Sequence, residues 1–212
     1  MHILILSTVL ATVSVLGQAQ IQVNARFVEY PAGGSFDARV QSQLKASQNG
    51  VIDAEQLTAL LANAAEAAIL SAPKVTTLAG QKAEIKIVEE RFFTPDEPTE
   101  IGISLEVTPT LADSAIELDT RARIVEFLGF KDANNSPILR ARVIERKVAL
   151  PPGQVVLLPG PAYEEEVVTT DCVPLLGSIP LLGRLFRCKR TTTVTRNLLL
   201  TISAEQIGTD GT

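Results

Sequence analysis

The stretch that most constrains this chain is residues 173–186, VPLLGSIPLLGRLF, in which the pattern [VI]-P-L-L-G-x occurs twice in tandem before Leu185 and Phe186. Pro174 and Pro180 each remove a backbone donor and fix φ, while Gly177 and Gly183 admit positive φ. The segment is therefore neither a regular helix nor a central strand. It must be a shaped loop. Its apolar residues, Val173, Leu175, Leu176, Ile179, Leu181, Leu182, Leu185 and Phe186, are too many for a solvated loop, and a run broken by proline and glycine cannot cross a bilayer as a helix. Some other surface has to cover it.

This segment resembles the signature of the secretin family, the outer-membrane ring proteins of type II and type III secretion and type IV pili. The resemblance implies that Val173 to Gly177 and Ile179 to Gly183, with Leu185 and Phe186, form a hairpin-like lip on a membrane-embedded barrel. A last strand rich in leucine and isoleucine should follow, and residues 187–202 have that composition. Cys172 and Cys188 flank the loop. If its stems return side by side, the two sulfurs come within bridging range, which requires Cα atoms about 4.4–6.8 Å apart. Two free thiols are the alternative.

The rest of the chain carries weaker versions of the same likeness. Residues 21–29 alternate Ile21, Val23, Ala25 and Phe27 against Gln22, Asn24, Arg26 and Val28, the pattern of a strand with one buried face. They resemble the strand that opens a secretin domain, with Glu29 at an acidic position of that strand. Residues 35–50 are polar, with a short helix at most over 38–46. Asp53 can cap a helix that carries Leu57, Leu60, Leu61 and Ala64 on one face and continues through Ala68, with Pro73 forcing its exit. Residues 69–75 resemble the family's LS-x-P-[KR] segment, and residues 102–109, GISLEVTP, its G-[IV]-x-L-x-V-x-P strand. Between them lie a turn at 78–81, a strand over 82–88 and a proline-broken acidic connection over 92–100.

Residues 116–125 alternate apolar Ile116, Leu118, Ala122 and Ile124 with Glu117, Asp119, Arg121 and Arg123, so every charge falls on one face. That face either pairs opposite charges with a like strand of another subunit or is simply solvated. A strand over 140–150, the turn at 151–154 and a strand over 155–158 resemble a family hairpin. Glu164, Glu165 and Glu166 read as a solvated acidic loop.

The chain has 212 residues, a formal charge of −5, no tryptophan and only two tyrosines. No basic stripe and few stacking side chains are on offer, so a nucleic-acid partner is not expected. Residues 1–19 read as a secretory signal, with an apolar core over 3–16 and small residues Gly17 and Ala19 at the cleavage position. Export would place Cys172 and Cys188 in an oxidising compartment. It would also remove His2, the one histidine, and with it any imidazole for a triad or metal site. No catalytic, cofactor or metal site is expected, and the chain is not read as an enzyme.

These readings give a mainly β domain with one or two helices, spanning residues 20–204, followed by a flexible tail over 205–212. The resemblance implies a short secretin without the N-terminal periplasmic ring domains. Such a subunit would contribute strands to an oligomeric double-walled β-barrel for protein secretion, as a homo-oligomer in the outer membrane with other secretion-system components. The alternative is an exported or periplasmic binding or accessory module, without channel activity, that works beside a full-length secretin.

Overall fold

The computed structural model describes residues 19–62, 64–94, 97–131, 136–172 and 187–207, the side chains of 169–172 and 187–189 excepted. Apart from Ala19, the expected signal lies outside the described residues, as does the whole 173–186 loop. Two sheets face each other. The larger contains β1 (Gln20–Pro31), β2 (Val51–Asp53), β3 (Ala68–Ser71), β4 (Lys74–Leu78), β9 (Gln154–Pro159), β10 (Tyr163–Cys172) and β11 (Arg187–Ile207). The smaller is an antiparallel meander of β5 (Ala83–Phe92), β6 (Pro98–Leu111), β7 (Ile116–Lys131) and β8 (Ser136–Leu150). Helices α1 (Ser35–Ala46) and α2 (Ala54–Ala62) cover part of the larger sheet's outer face.

Period-two patterning builds the core between the sheets. Ile21, Val23, Ala25 and Phe27 of β1 meet Leu198, Leu200, Ile202 and Ala204 of β11 on one side, and Leu105, Val107, Ile116, Leu118, Ala122 and Ile124 of the meander on the other. A second apolar layer lies under the helices, where Val28, Tyr30, Val155, Leu157 and Leu199 pack on Phe36, Val40, Leu57 and Leu60. Val28, expected on a polar face, is therefore fully buried. The larger sheet is covered on both sides here, which is why its strands read as near-continuous apolar runs.

Several expectations are corrected. The helix expected to run to Ala68 stops at Ala62, although alanine is the best helix former, because Ala68 and Ile69 pair with Glu29 and Val28 of β1. Asp53 does stand at its start, and the Gln56 side chain accepts from the Asp53 N–H at 3.2 Å, half of a capping box. Pro73 marks not a helix exit but the break between β3 and β4, where its carbonyl accepts from Ala25 N–H at 2.9 Å. Both ends of the stretch over 92–100 belong to the meander, since β5 runs to Phe92 and β6 begins at Pro98, directly opposite it. Proline is tolerated there as the first residue of a strand.

The strands over 140–150 and 155–158 do not form a hairpin. β8 belongs to the meander and β9 to the larger sheet, so the turn at 151–154 carries the chain from one layer to the other. The tail also begins later than expected, since β11 continues to Ile207, opposite Gln20, with Ala204 buried. Residues 208–212 lie outside the description.

The charged face of β7 finds its partners inside the chain. Asp119 pairs with Lys147 of β8 at 3.0 Å and Arg121 with Glu145 at 2.9 Å, while Lys82 reaches Glu106 at 2.6 Å. β7 is an interior strand of the meander, and over residues 116–125 β6 and β8 already occupy both its edges, so no second subunit can lie beside that stretch.

Candidate functional site

At one end of the sandwich the two sheets part, and both run on past the shared core. From the larger sheet a two-stranded ribbon projects, in which β10 pairs with the first half of β11 from Tyr163 opposite Arg196 to Cys172 opposite Arg187. It carries the 173–186 loop between its strands. β1 stops at Pro31, opposite Arg196, so the ribbon beyond has no third strand among the described residues. From the meander project the distal halves of its two hairpins. Phe93, Phe127 and Phe130 cluster there at ring separations of 5.0–6.0 Å, with Phe92, Leu128, Phe130 and Ile138 exposed.

The apolar rows that build the core end here in charge. The next residue of the same parity after Ile21, Val23, Ala25 and Phe27 is Glu29. After Ile116, Leu118, Ala122 and Ile124 it is Glu126; before Ile144 it is Arg142, and before Leu198 it is Arg196. Four strands therefore bring two glutamates and two arginines to one place.

Glu29 is the hub. Its Oε1 accepts from the Tyr163 hydroxyl at 2.9 Å and its Oε2 from Arg142 Nη1 at 3.2 Å, with Arg196 Nε 3.8 Å from Oε1. The Arg142 side chain is 2 % exposed, and its Nη2 lies 3.1 Å from Glu126 Oε1. That second contact lacks hydrogen-bond alignment, and Arg142 Nε and Nη2 are buried with no hydrogen-bond partner. The joint to Glu29 is thus directional, whereas the joint to Glu126 rests on charge alone. The Tyr163 ring lies 4.0 Å from the Arg140 guanidinium and 4.5 Å from that of Arg142, within cation–π range of both. Burial first, then the bond to Glu29, pushes the Tyr163 phenol up to about 12.

Glu164, Glu165 and Glu166, expected in a loop, lie on β10 instead. Glu164 and Glu166 are exposed, and Glu165 accepts from Arg196 Nε at 2.6 Å. Cys172 lies opposite Arg187 and Cys188 opposite Asp171, so the stems do return side by side, with the cysteines one step out of register. The signature residues from Val173 to Phe186 lie outside the description. Sequence reasoning placed Glu29 by resemblance but missed Arg142, Tyr163, Glu126 and Arg196. The signal was present in the parity: each apolar row, continued one step further, reaches a charge.

No group of three metal-binding side chains exists among the described residues, and no described helix is long and apolar enough to cross a membrane, which says nothing about strands. The described residues form a β domain of two facing sheets, with a ribbon and two hairpins projecting from one end. Residues 60–207 match the family described as Secretin, bacterial type II and III secretion system protein, and the chain belongs to the secretin family. The family is one of secretion-system proteins, not of enzymes.

The chain is 34 % identical over 163 residues to the secretin XcpQ of Pseudomonas aeruginosa, an overlap that takes in 68 % of this chain and 25 % of XcpQ. It is similar in fold to the type II secretion system secretin GspD of Escherichia coli K12, with a TM-score of 0.54 and 21 % identity over 91 % of this chain and 51 % of that one. It also resembles a chain of the ETEC pilotin–secretin AspS–GspD complex, with a TM-score of 0.52 and 19 % identity over 89 % of this chain and 50 % of that one. The chain spans about a quarter of the length of XcpQ and of the ExeD and GspD relatives it matches.

Proposed function

We propose that this chain is the wall-forming unit of an outer-membrane secretin-type ring, in which identical copies join strand to strand and close into a β-barrel for protein secretion. The observation that carries this reading is the ribbon of β10 and the first half of β11. A two-stranded hairpin is marginal on its own in water, and over residues 187–194 of β11 this one has both outer edges unpaired among the described residues. A neighbouring copy would satisfy those edges, and ring closure would remove them altogether. The outermost strands of the meander, β5 and β8, likewise offer one free edge each among the described residues. The residue 173–186 loop would form the lip at the tip of the ribbon and contact lipid. Residues 1–19 would direct export and be removed, and other secretion-system components, or a full-length secretin, would be partners.

A second reading has its own support, because Asp119 and Arg121 of β7 find their charge partners within the chain and need no second copy. On that reading it is an exported accessory module without channel activity. Negative-stain images of purified protein in detergent separate the two. Rings are expected; a uniform field of single subunits at every concentration would favour the accessory module. Intact mass of the exported protein tests the signal, and a mass that retains His2 would remove it.

A further inference from the structure

We propose that Tyr163 is a positioning residue that couples the meander to the projecting ribbon, so that a tilt of β8 is passed to the strands carrying residues 173–186. Tyr163 stands where the ribbon begins. Before it, β9 pairs with β11 as far as Pro159 opposite Leu199, and Gly160 N–H donates to the Leu198 carbonyl at 2.8 Å. Tyr163 then opens the β10 ladder opposite Arg196. The break at 160–162 is a natural hinge between two segments that lie along the same strand. Across that hinge, the Tyr163 ring touches two guanidiniums of β8 and its hydroxyl donates to Glu29 of β1.

One side chain of β10 therefore contacts two further strands, one from each sheet, at the point where the ribbon leaves the core. Arg196, the other tie at this point, donates to Glu165 of β10 and lies 3.8 Å from Glu29 of β1, so its ion pairs stay within the ribbon's own sheet. Tyr163 is accordingly a described residue whose side chain joins the ribbon directly to the meander. Buried charge clusters are weak sources of net stability, because desolvation offsets the attraction between the charges, and in some proteins they are kept because they favour one arrangement over its alternatives. Here the arrangement favoured is the angle between ribbon and meander. The inference holds whether the chain works in a ring or alone.

The test is a pair of nitroxide labels, one on the meander overhang at Ile138→Cys and one on the ribbon at Val168→Cys. Cys172 and Cys188 are replaced by serine, and labelled protein is diluted with unlabelled so that only distances within one chain are read. Both positions are exposed. A control pair at Arg26→Cys and Glu117→Cys, on strands whose core rows pack together, reports the sandwich itself. With Tyr163 present, the 138–168 distance distribution is expected as one narrow peak. Tyr163→Leu should lose that peak, Tyr163→Phe should keep part of it because the ring remains between the guanidiniums, and the control pair should not change. An unchanged 138–168 distribution in both variants would overturn the proposal. So would broadening at the control pair to the same degree, which would make Tyr163 a general stabiliser. Should Tyr163→Leu fail to fold, Tyr163→Phe and Glu29→Gln decide the matter on the same readout.

Discussion

Arg142 donates to Glu29 across the gap between the two sheets at 3.2 Å, joining residues 113 positions apart in a pair with little access to water. Removing one partner of a buried pair leaves the other's charge uncompensated, which typically costs about 3–5 kcal/mol. Arg142→Ala should therefore lower the urea midpoint strongly. The paired change Glu29→Gln with Arg142→Met, which leaves neither charge behind, should recover most of that loss. Equal damage from the single and double variants would show that the pair is not coupled.

Gly102 opens the GISLEVTP strand with φ +136, and a Cβ built there would press on the Ile87 carbonyl and lie 2.9 Å from Val88 Cα. Backbone strain and overpacking add at this site, so Gly102→Ala should destabilise by about 3 kcal/mol. Gly129 has a similar φ of +140 but open space around it, at the bulge where Leu128 is left out of the β7–β8 register. Gly129→Ala should cost only about 1 kcal/mol, from strain alone. Chemical denaturation of the two variants side by side measures the difference.

Both tyrosines of the chain hold their protons tightly. Burial raises Tyr30 to about 12, with the Asp37 carboxylate adding to it, and burial with the Glu29 hydrogen bond does the same for Tyr163. A raised phenol pKa means that the folded state binds the proton more strongly than the unfolded chain. The associated stability is therefore complete below pH 10.0 and is lost as pH climbs toward 12. Ultraviolet titration should show almost no tyrosinate in the folded protein at pH 10.0, where a free tyrosine is half ionised, and guanidinium should release the full signal.

The cysteines give a test of ladder register. Positions one step out of register in an antiparallel pair fall on opposite faces, and a disulfide needs Cβ atoms about 3.5–4.5 Å apart. With Cys172 opposite Arg187 and Cys188 opposite Asp171, a bridge calls for a one-residue slip of the ribbon. Unreduced peptide mapping after thiol blocking should return two separately alkylated cysteines. A linked pair would show that the slipped ladder forms.

The strands were legible wherever a single face is buried. The rows of β1, β6 and β7 follow period-two alternation, and the structure places Ile21, Leu105 and Ile116 where that alternation puts them. Connections were less legible. The Pro151 to Gln154 turn reads the same whether the next strand pairs back or crosses to the facing sheet, so local chemistry could not reveal that β9 changes layers. The alanine-rich run after Leu61 favours helix by propensity and was claimed instead by pairing with Glu29, a partner remote in sequence. The charged cluster escaped notice because each of its members looks like an ordinary surface residue on its own strand. Its chemistry exists only once four strands are brought together.

The pairing of Gln20 with Ile207 has a consequence for how the molecule comes into being. The meander links only consecutive strands, so each hairpin can close as soon as its residues exist. β1 has a different fate, since its longest partner, β11, is made after all the other described strands, and contacts of such wide sequence separation form slowly. β1 therefore waits for β11. A nascent chain would carry Ile21, Val23 and Phe27 without their β11 neighbours until residues 198–204 arrive, and the larger sheet closes only after translation has passed them.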